Sequence, residues 1–222
     1  MAPSRTELPN YTKKQEIANS FSHALGVLFA LIGGPFLIAK AVSSADPWKI
    51  SSSVIFTLSL LALYLGSAIY HGFPPSKTKR ILRVLDHDNV FVLIIGTYVP
   101  YTLVGLRSYS EAWCYSILIP CIILGIIGIV LNSIDLKKFT VFCIIDYILM
   151  GWLIIISFYP LVMSIGWYPA SFLLLMGGIS YTVGAVLYCL GIKKTKWFHL
   201  IFHLFVLLGT LLMFVSLYYW VF

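Results

Sequence analysis

Two histidines near the carboxyl end of the sequence have the spacing of a metal chelate. His199 and His203 are four residues apart, so on a helix both imidazole rings project from one face, about 6 Å apart. A third histidine, His71, closes an apolar segment elsewhere in the chain. Three imidazoles beside an open coordination position are the ligand set of a catalytic zinc site. The pattern therefore predicts a metal site, with zinc as the expected cofactor and other metals that prefer imidazole as alternatives.

Two further residues have the chemistry that such a site needs. An unpaired carboxylate such as Asp86 could hydrogen-bond to a metal-bound water and act as its base. Ser67 lies four residues before His71, on the same helical face, where it could orient a ligand or a substrate carbonyl. Alternatively, the Ser67 hydroxyl bonds to its own helix backbone. Asp86 and Ser67 are the candidate catalytic residues.

A polar stripe marks the first apolar segment. Glu16, Asn19 and His23 follow the i, i+3, i+7 spacing, so they share one helical face. A position where the chain enters the membrane explains Glu16 alone, but Asn19 and His23 need partners. We expect this face to point into a bundle and to form a supporting polar cluster.

The composition places these residues in a membrane protein. Hydrophobic residues make up 60% of the 222 residues and charged residues 10%, and the mean hydropathy is +0.94. Globular domains carry about 25% charged residues, so a soluble fold is excluded. The net charge of +7 comes from basic residues scattered between apolar stretches, which favours topology determinants over a nucleic-acid partner.

Seven apolar stretches are long enough to cross a bilayer, which needs about 20 residues each. One stretch, 139–192, is too long for a single span, and we divide it at the turn rich in proline and aromatic residues from Tyr159 to Pro169. The prediction is an all-α integral membrane protein with a tail at 1–15 and one seven-helix domain at 16–222. The predicted spans are 19–41, 50–71, 86–106, 112–132, 139–159, 169–191 and 198–220.

The basic residues predict the orientation of this bundle. Twelve of the 15 lysines and arginines fall on the side that holds the N-terminus, and three on the other. By the positive-inside rule, the N-terminus is then cytoplasmic and the C-terminus lies outside. The three exceptions are Lys40, Lys49 and Arg107.

With this topology, all five histidines fall in the cytoplasmic leaflet. A lone histidine at a membrane interface is usually solvated or hydrogen-bonded, but the coincidence of three spans at one depth favours the metal site. His87 and Asp88 stand beside four basic residues, which favours a role as interfacial charge partners. Asp146 lies about 12 Å into the fifth span. It either lines the same cavity or, when protonated, pairs with tyrosine or serine hydroxyls.

Three motifs, taken in order, resemble those of the haemolysin III / progestin and adiponectin receptor family. They are EIANSFSHALG from Glu16, GSAIYHGFP around His71, and WFHLIFHLFVLLG around His199. The stretch LDHDNVFVLIIGTYVPYTL is similar to the third helix of that family. The resemblance runs from Glu16 to Gly209, and the short tail favours the haemolysin III branch.

The resemblance implies a seven-helix bundle with its N-terminus inside and a zinc ion near the cytoplasmic face. His71, His199 and His203 match the zinc ligands of the family, Asp86 matches the aspartate that contacts the metal-bound water, and Ser67 matches a serine beside the site. Some members are thought to be hydrolases of ceramide-like lipid amides, and others are described as hormone or lipid receptors. The haemolysin name records a claimed pore-forming activity.

We therefore expect a zinc-dependent hydrolase of a lipid amide or ester, in a bacterial inner membrane. A site about 10 Å below the cytoplasmic loops suits a lipid substrate or ligand. One alternative is a pore-forming cytolysin, which the nearly apolar outer halves of the spans disfavour. Another is a lipid receptor or scaffold with a structural zinc. The substrate and the oligomeric state stay open.

Overall fold

Seven long helices make up nearly all of residues 7–222, the part of the chain that the computed structural model describes. Each is long and apolar enough to cross a membrane, and no strand occurs in these residues. The predicted all-α class and the count of seven are confirmed, and the predicted spans lie within the helices. The helices are α1 Lys13–Ser43, α2 Pro47–Gly72, α3 Lys77–Tyr109, α4 Glu111–Ile134, α5 Leu136–Ile165, α6 Trp167–Gly191 and α7 Trp197–Val221.

Short polar connections begin several of these helices. Thr12 and Gln15 form a capping box at the start of α1, and Asp46 accepts hydrogen bonds from the first free amides of α2. Ser76 and Asp135 cap α3 and α5 in the same way. Such caps satisfy amides that the helix itself leaves unpaired. The short loops make neighbouring helices antiparallel, so α1, α3, α5 and α7 begin at one end of the bundle, called the amino end below.

The boundary between α5 and α6 falls within the predicted turn, near its end. The α5 helix runs past Pro160 to Ile165, and the chain reverses at Gly166, whose φ of 84° suits glycine. A 3₁₀ stretch, Leu153–Ser157, interrupts α5 just upstream. The helix restarts after it, so Pro160 falls in a first turn, where its missing N–H is tolerated.

Small residues bring the helices close together. A Cβ added at Gly177 of α6 would lie 3.0 Å from the Gly209 carbonyl oxygen of α7, and one at Gly209 would lie 2.9 Å from the Gly177 oxygen. Gly26 of α1 is similarly covered by the Tyr64 ring of α2. Close contact through small residues is typical of membrane helices.

The outer surface of the bundle is apolar and its interior holds polar side chains. Phe21, Phe36 and Val141 are each more than 60% exposed, whereas Asn19 and His203 are almost fully buried. This arrangement reverses that of a water-soluble protein and suits a surface in contact with lipid tails. It supports association with the lipid bilayer.

Candidate metal centre

Three buried histidines meet at the amino end of the bundle. His71 ends α2, while His199 and His203 lie in the first two turns of α7. One ring nitrogen of each lies within 4.8 Å of the others, and the Nε2 atoms of His71 and His199 are 3.1 Å apart. The three residues predicted as metal ligands are therefore brought together. Three imidazoles in this arrangement could hold a metal ion, and zinc accepts such a donor set.

A carboxylate sets the orientation of His71. Nδ1 of His71 lies 2.7 Å from Oε2 of Glu16, and Oε1 of the same carboxylate lies 2.7 Å from Nζ of Lys79. A carboxylate accepts hydrogen bonds only, so Nδ1 of His71 carries the proton and donates it. Nε2 then keeps its lone pair and faces His199, as a metal ligand requires.

A serine sets His203 in the same way. Oγ of Ser22 lies 3.0 Å from Nδ1 of His203 and donates its own hydrogen to the carbonyl oxygen of Asn19 at 2.7 Å. Because the hydroxyl proton is already used, Ser22 accepts from Nδ1–H of His203. The lone pair of His203 is therefore also on Nε2, so two of the three rings have the tautomer for coordination through that atom.

Aromatic rings enclose the third histidine. The ring centroids of Tyr188 and Tyr11 lie 5.3 and 5.4 Å from that of His199, and Tyr11 also contacts His71 at 5.7 Å. Tyr11 precedes α1 and covers the cluster from the amino end. Burial raises the pKa of the Tyr11 phenol well above its usual value, so the ring stays neutral.

The two candidate catalytic residues lie next to each other beside the histidines. Asp86 and Ser67 are buried and line the same cavity as His199 and His203. The Ser67 hydroxyl is close to the Asp86 carboxyl, and it has no other hydrogen-bond partner among residues 7–222. The alternative in which Ser67 bonds to its helix backbone is therefore not observed.

The polar face of α1 points into the bundle. His23 stacks on His203 with ring centroids 3.6 Å apart and an angle of 16° between the planes, and its edge faces Tyr64. Both ring nitrogens of His23 and both amide atoms of Asn19 are buried and have no hydrogen-bond partner within the described part of the chain. Buried polar atoms rarely stay unpaired, since each costs about 1–3 kcal/mol. Several such atoms beside the histidines fit a site that holds a polar group.

Asp88 does not have its predicted partners. It accepts hydrogen bonds from Nδ2 of Asn132 at 2.7 Å and Oγ of Ser133 at 3.0 Å, and so links α3 to α4. The prediction that it pairs with nearby basic residues is wrong, because its side chain faces α4 instead. Two residues along a helix turn a side chain by about 200°, so Asp86 and Asp88 face different neighbours. The adjacent His87 lines the cavity, and its carbonyl oxygen accepts from the Tyr147 hydroxyl.

Asp146 fits neither of its predicted roles. Its side chain is buried, it is absent from the cavity wall, and its Oδ2 has no hydrogen-bond partner among the described residues. A position within an apolar span gave no indication of which helix the carboxyl would face.

A cavity of about 230 Å³ extends from the histidines into the bundle. Helices α3, α5, α6 and α7 supply most of its walls, which are mainly apolar and reach Tyr101, Leu174 and Met213. Met213 follows His203 by ten residues on α7, so the cavity runs about 15 Å along the helix axis. Its charged residues and its histidines, Asp86 and His203 among them, lie at the amino end.

The match to known proteins covers this whole arrangement. A family model described as Haemolysin-III related matches residues 11–214. The chain belongs to this family. The "Hemolysin-3 homolog" of Bacillus subtilis (strain 168) is 39% identical over 204 residues, which are 92% of this chain and 93% of that protein. The "Hemolysin-3" of Bacillus cereus is 34% identical over 211 residues, 94% of this chain and 92% of that protein. No solved structure matches the chain.

Membership of the haemolysin III-related family confirms the resemblance that the motifs indicated. Three residues that contact the histidines, Ser22, Tyr11 and Lys79, were not predicted from the sequence. Ser22 could have been found, because it continues the polar stripe three residues after Asn19. Tyr11 lies before the first helix, and Lys79 is one of several basic residues that indicate only the orientation in the membrane. Neither has a local signal for its contact with the histidines.

Proposed function

We propose that this protein is a metal-dependent hydrolase of a lipid amide or ester, with zinc held by His71, His199 and His203. The observation that carries the proposal is the place of His199 and His203 at the polar end of a long apolar cavity that Asp86 also lines, with His71 beside them. Among residues 7–222, no fourth His, Cys, Asp or Glu joins the group. A site with three protein ligands favours catalysis over a structural zinc in a receptor or scaffold.

Hydrolysis requires a base, a proton donor and stabilisation of the carbonyl oxygen. A bound zinc ion would polarise the substrate carbonyl and lower the pKa of an attacking water. Asp86 takes the proton as the water oxygen adds to the carbonyl carbon, and returns it to the leaving nitrogen or oxygen when that bond breaks. His23 and Ser67, whose polar atoms are free, supply hydrogen bonds to the carbonyl oxygen.

The shape of the cavity supports a lipid substrate, such as a ceramide-like amide. An acyl chain would lie along the apolar walls towards Met213, with the scissile bond at the histidines and the polar head group at the amino end of the bundle. These walls are as apolar as the lipid tails that the chain would leave, so a membrane lipid can enter without exposing its chain to water. A small water-soluble substrate would leave most of this surface unused.

We place the protein in a bacterial cell membrane with the amino end in the cytoplasm. Of the 14 basic residues that the structure describes, 11 lie at that end, as the positive-inside rule requires, and the two relatives are from Bacillus species. The metal site then lies in the cytoplasmic leaflet.

The names of the relatives support a second candidate, a pore-forming cytolysin. A pore needs a polar path through both leaflets or an oligomer. Leakage of a dye from lipid vesicles that contain the purified protein tests this candidate. Leakage that persists in the His71→Ala variant would favour the pore over the metal-dependent hydrolase.

The first experiment is the metal content of the detergent-purified protein, measured by mass spectrometry and followed by hydrolysis assays on a panel of N-acyl and O-acyl lipids. We expect about one zinc per chain, lost in His71→Ala and His199→Ala. The His87→Ala variant is the control for metal content, because His87 is outside the group. A folded protein prepared without chelators that contains no metal would rule out the hydrolase.

A further inference from the structure

A buried lysine lies behind the first metal ligand. Lys79, in the first turn of α3, is only 2% exposed, although its neighbours Lys77 and Arg80 are exposed. Lysine is almost never buried unless its charge is paired, because removing an ammonium group from water costs several kcal/mol. The interior position of this one side chain therefore requires partners.

The partners come from α1 and from the end of α2. The Nζ atom of Lys79 lies 2.7 Å from Oε1 of Glu16, 2.8 Å from the carbonyl oxygen of Phe73, and 3.4 Å from that of His71. An ammonium group has three hydrogens, so these oxygens can use all of them. The carbonyls at the end of a helix have no partner within it, and Lys79 supplies one. The side chain thus joins three helices at one point.

The same point controls the direction in which His71 faces. One oxygen of Glu16 binds Lys79 and the other accepts from Nδ1–H of His71. Lys79 also binds the backbone carbonyl of His71. Lys79 therefore holds both the carboxylate that binds the His71 ring and the backbone that carries this ring, and Nε2 faces His199.

We infer that Glu16 and Lys79 are positioning residues for the metal site, acting through His71. Glu16 fixes the tautomer and the ring orientation of this ligand, and Lys79 fixes Glu16. This inference depends on the metal centre of the proposed function. An ion pair that only held helices together would have no need to place its second carboxylate oxygen on a metal ligand.

The test is the zinc affinity of the metal-free protein, measured by competition with a chromophoric chelator. Residues behind a ligand are worth about 10- to 100-fold in metal affinity. We expect a loss of this size in Glu16→Gln and a loss of about tenfold in Lys79→Met. Lys79→Arg, which keeps the charge, should recover part of the affinity. Lys77→Met is the matched control and should bind zinc as the wild type does.

A double variant separates positioning from packing. If Lys79 acts through Glu16, adding Lys79→Met to Glu16→Gln will weaken zinc binding by much less than the product of the single effects. The visible absorption of bound cobalt should also change in Glu16→Gln, because it reports ligand geometry. If Lys79→Met fails to fold, the nearly isosteric Glu16→Gln carries the test.

Two results would overturn the inference, and they differ. Variants that unfold more easily but bind zinc with wild-type affinity would show that the pair only stabilises the fold, and the proposed function would stand. A wild-type protein that binds no zinc would overturn both.

Discussion

The two ends of the bundle use their polar residues differently. At the amino end, Glu16 and Ser22 of α1 hydrogen-bond to the rings of His71 and His203, and Lys79 of α3 binds the Glu16 carboxylate. At the other end, each cation has its own separate partner. Lys40 donates to the Tyr218 carbonyl oxygen, Lys49 to that of Phe222, and Arg107 lies over the Trp48 ring.

This contrast separates polar groups that serve the fold from those that serve a site. The lysines at the far end satisfy carbonyls at the end of α7, which any helix end requires. At the amino end, the hydrogen bonds to Nδ1 leave the lone pairs of two rings on Nε2, and the three histidines each place a ring nitrogen within 4.8 Å of the others. The polar residues around these rings, Ser67 and His23 among them, keep unpaired atoms. Polar residues whose bonding capacity is left over in one place indicate a binding site.

The largest expected effect is the loss of a ligand at the amino end. His203→Ala should weaken zinc binding by more than about a hundredfold, since even residues behind a ligand are worth that much. Lipid hydrolysis should be lost with the metal. The measurement is zinc per chain after gel filtration, beside the rate of fatty-acid release. Retention of metal in a folded His203→Ala protein would contradict the assignment of this ring.

The next largest effect separates two aspartates on the same helix. Asp86→Asn should keep zinc but lower kcat by about 10²- to 10⁴-fold, because the base is lost. Asp88→Asn should keep the activity and instead lower the free energy of unfolding by about 1–3 kcal/mol, since Asp88 holds Asn132 and Ser133. Comparable losses of activity in both variants would contradict the assignment of Asp86 to catalysis and of Asp88 to the stability of the fold.

The parts of the site that could be predicted are those that follow from helical period and depth. The spacing of His199 and His203 is a local property of one helix. The proximity of His71 follows from the number of spans, which places the end of α2 and the start of α7 at one end of the bundle. Asp86 is at the same depth, and the polar stripe of α1 places its buried face.

The parts that could not be predicted depend on how the helices are rotated and where they meet. Lys79 is one basic residue among four in a loop region, and only the meeting of α1, α2 and α3 distinguishes it. Asp88 has the same depth as Asp86 but faces α4. The chain reverses at Gly166, within the turn predicted from Tyr159 to Pro169, but the exact position depends on the 3₁₀ stretch before Pro160, after which the helix restarts. Each case is decided by tertiary packing, which local spacing does not contain.

A smaller effect is expected from filling the cavity without touching the metal. Gly178 lines the cavity, and a Cβ added there has nothing within 4 Å. Gly178→Leu should leave zinc binding unchanged and reduce kcat/KM for long acyl chains by about 10- to 200-fold, with short chains less affected. The measurement is hydrolysis across a series of chain lengths. The neighbouring Ile179, which faces outward, provides Ile179→Leu as the control. Equal loss for all chain lengths would contradict an acyl chain in this cavity.

The smallest effect is expected at the opposite end of the bundle. Lys49→Met removes the hydrogen bond to the Phe222 carbonyl oxygen. Because a cation at a helix C-terminus is worth about 0.3–1 kcal/mol, thermal unfolding should shift by only a few degrees. Zinc content and hydrolysis should stay at wild-type values, since no contact links Lys49 to the histidines. Loss of metal in this variant would show that the two ends are coupled, and the division between a structural end and a functional end would then be wrong.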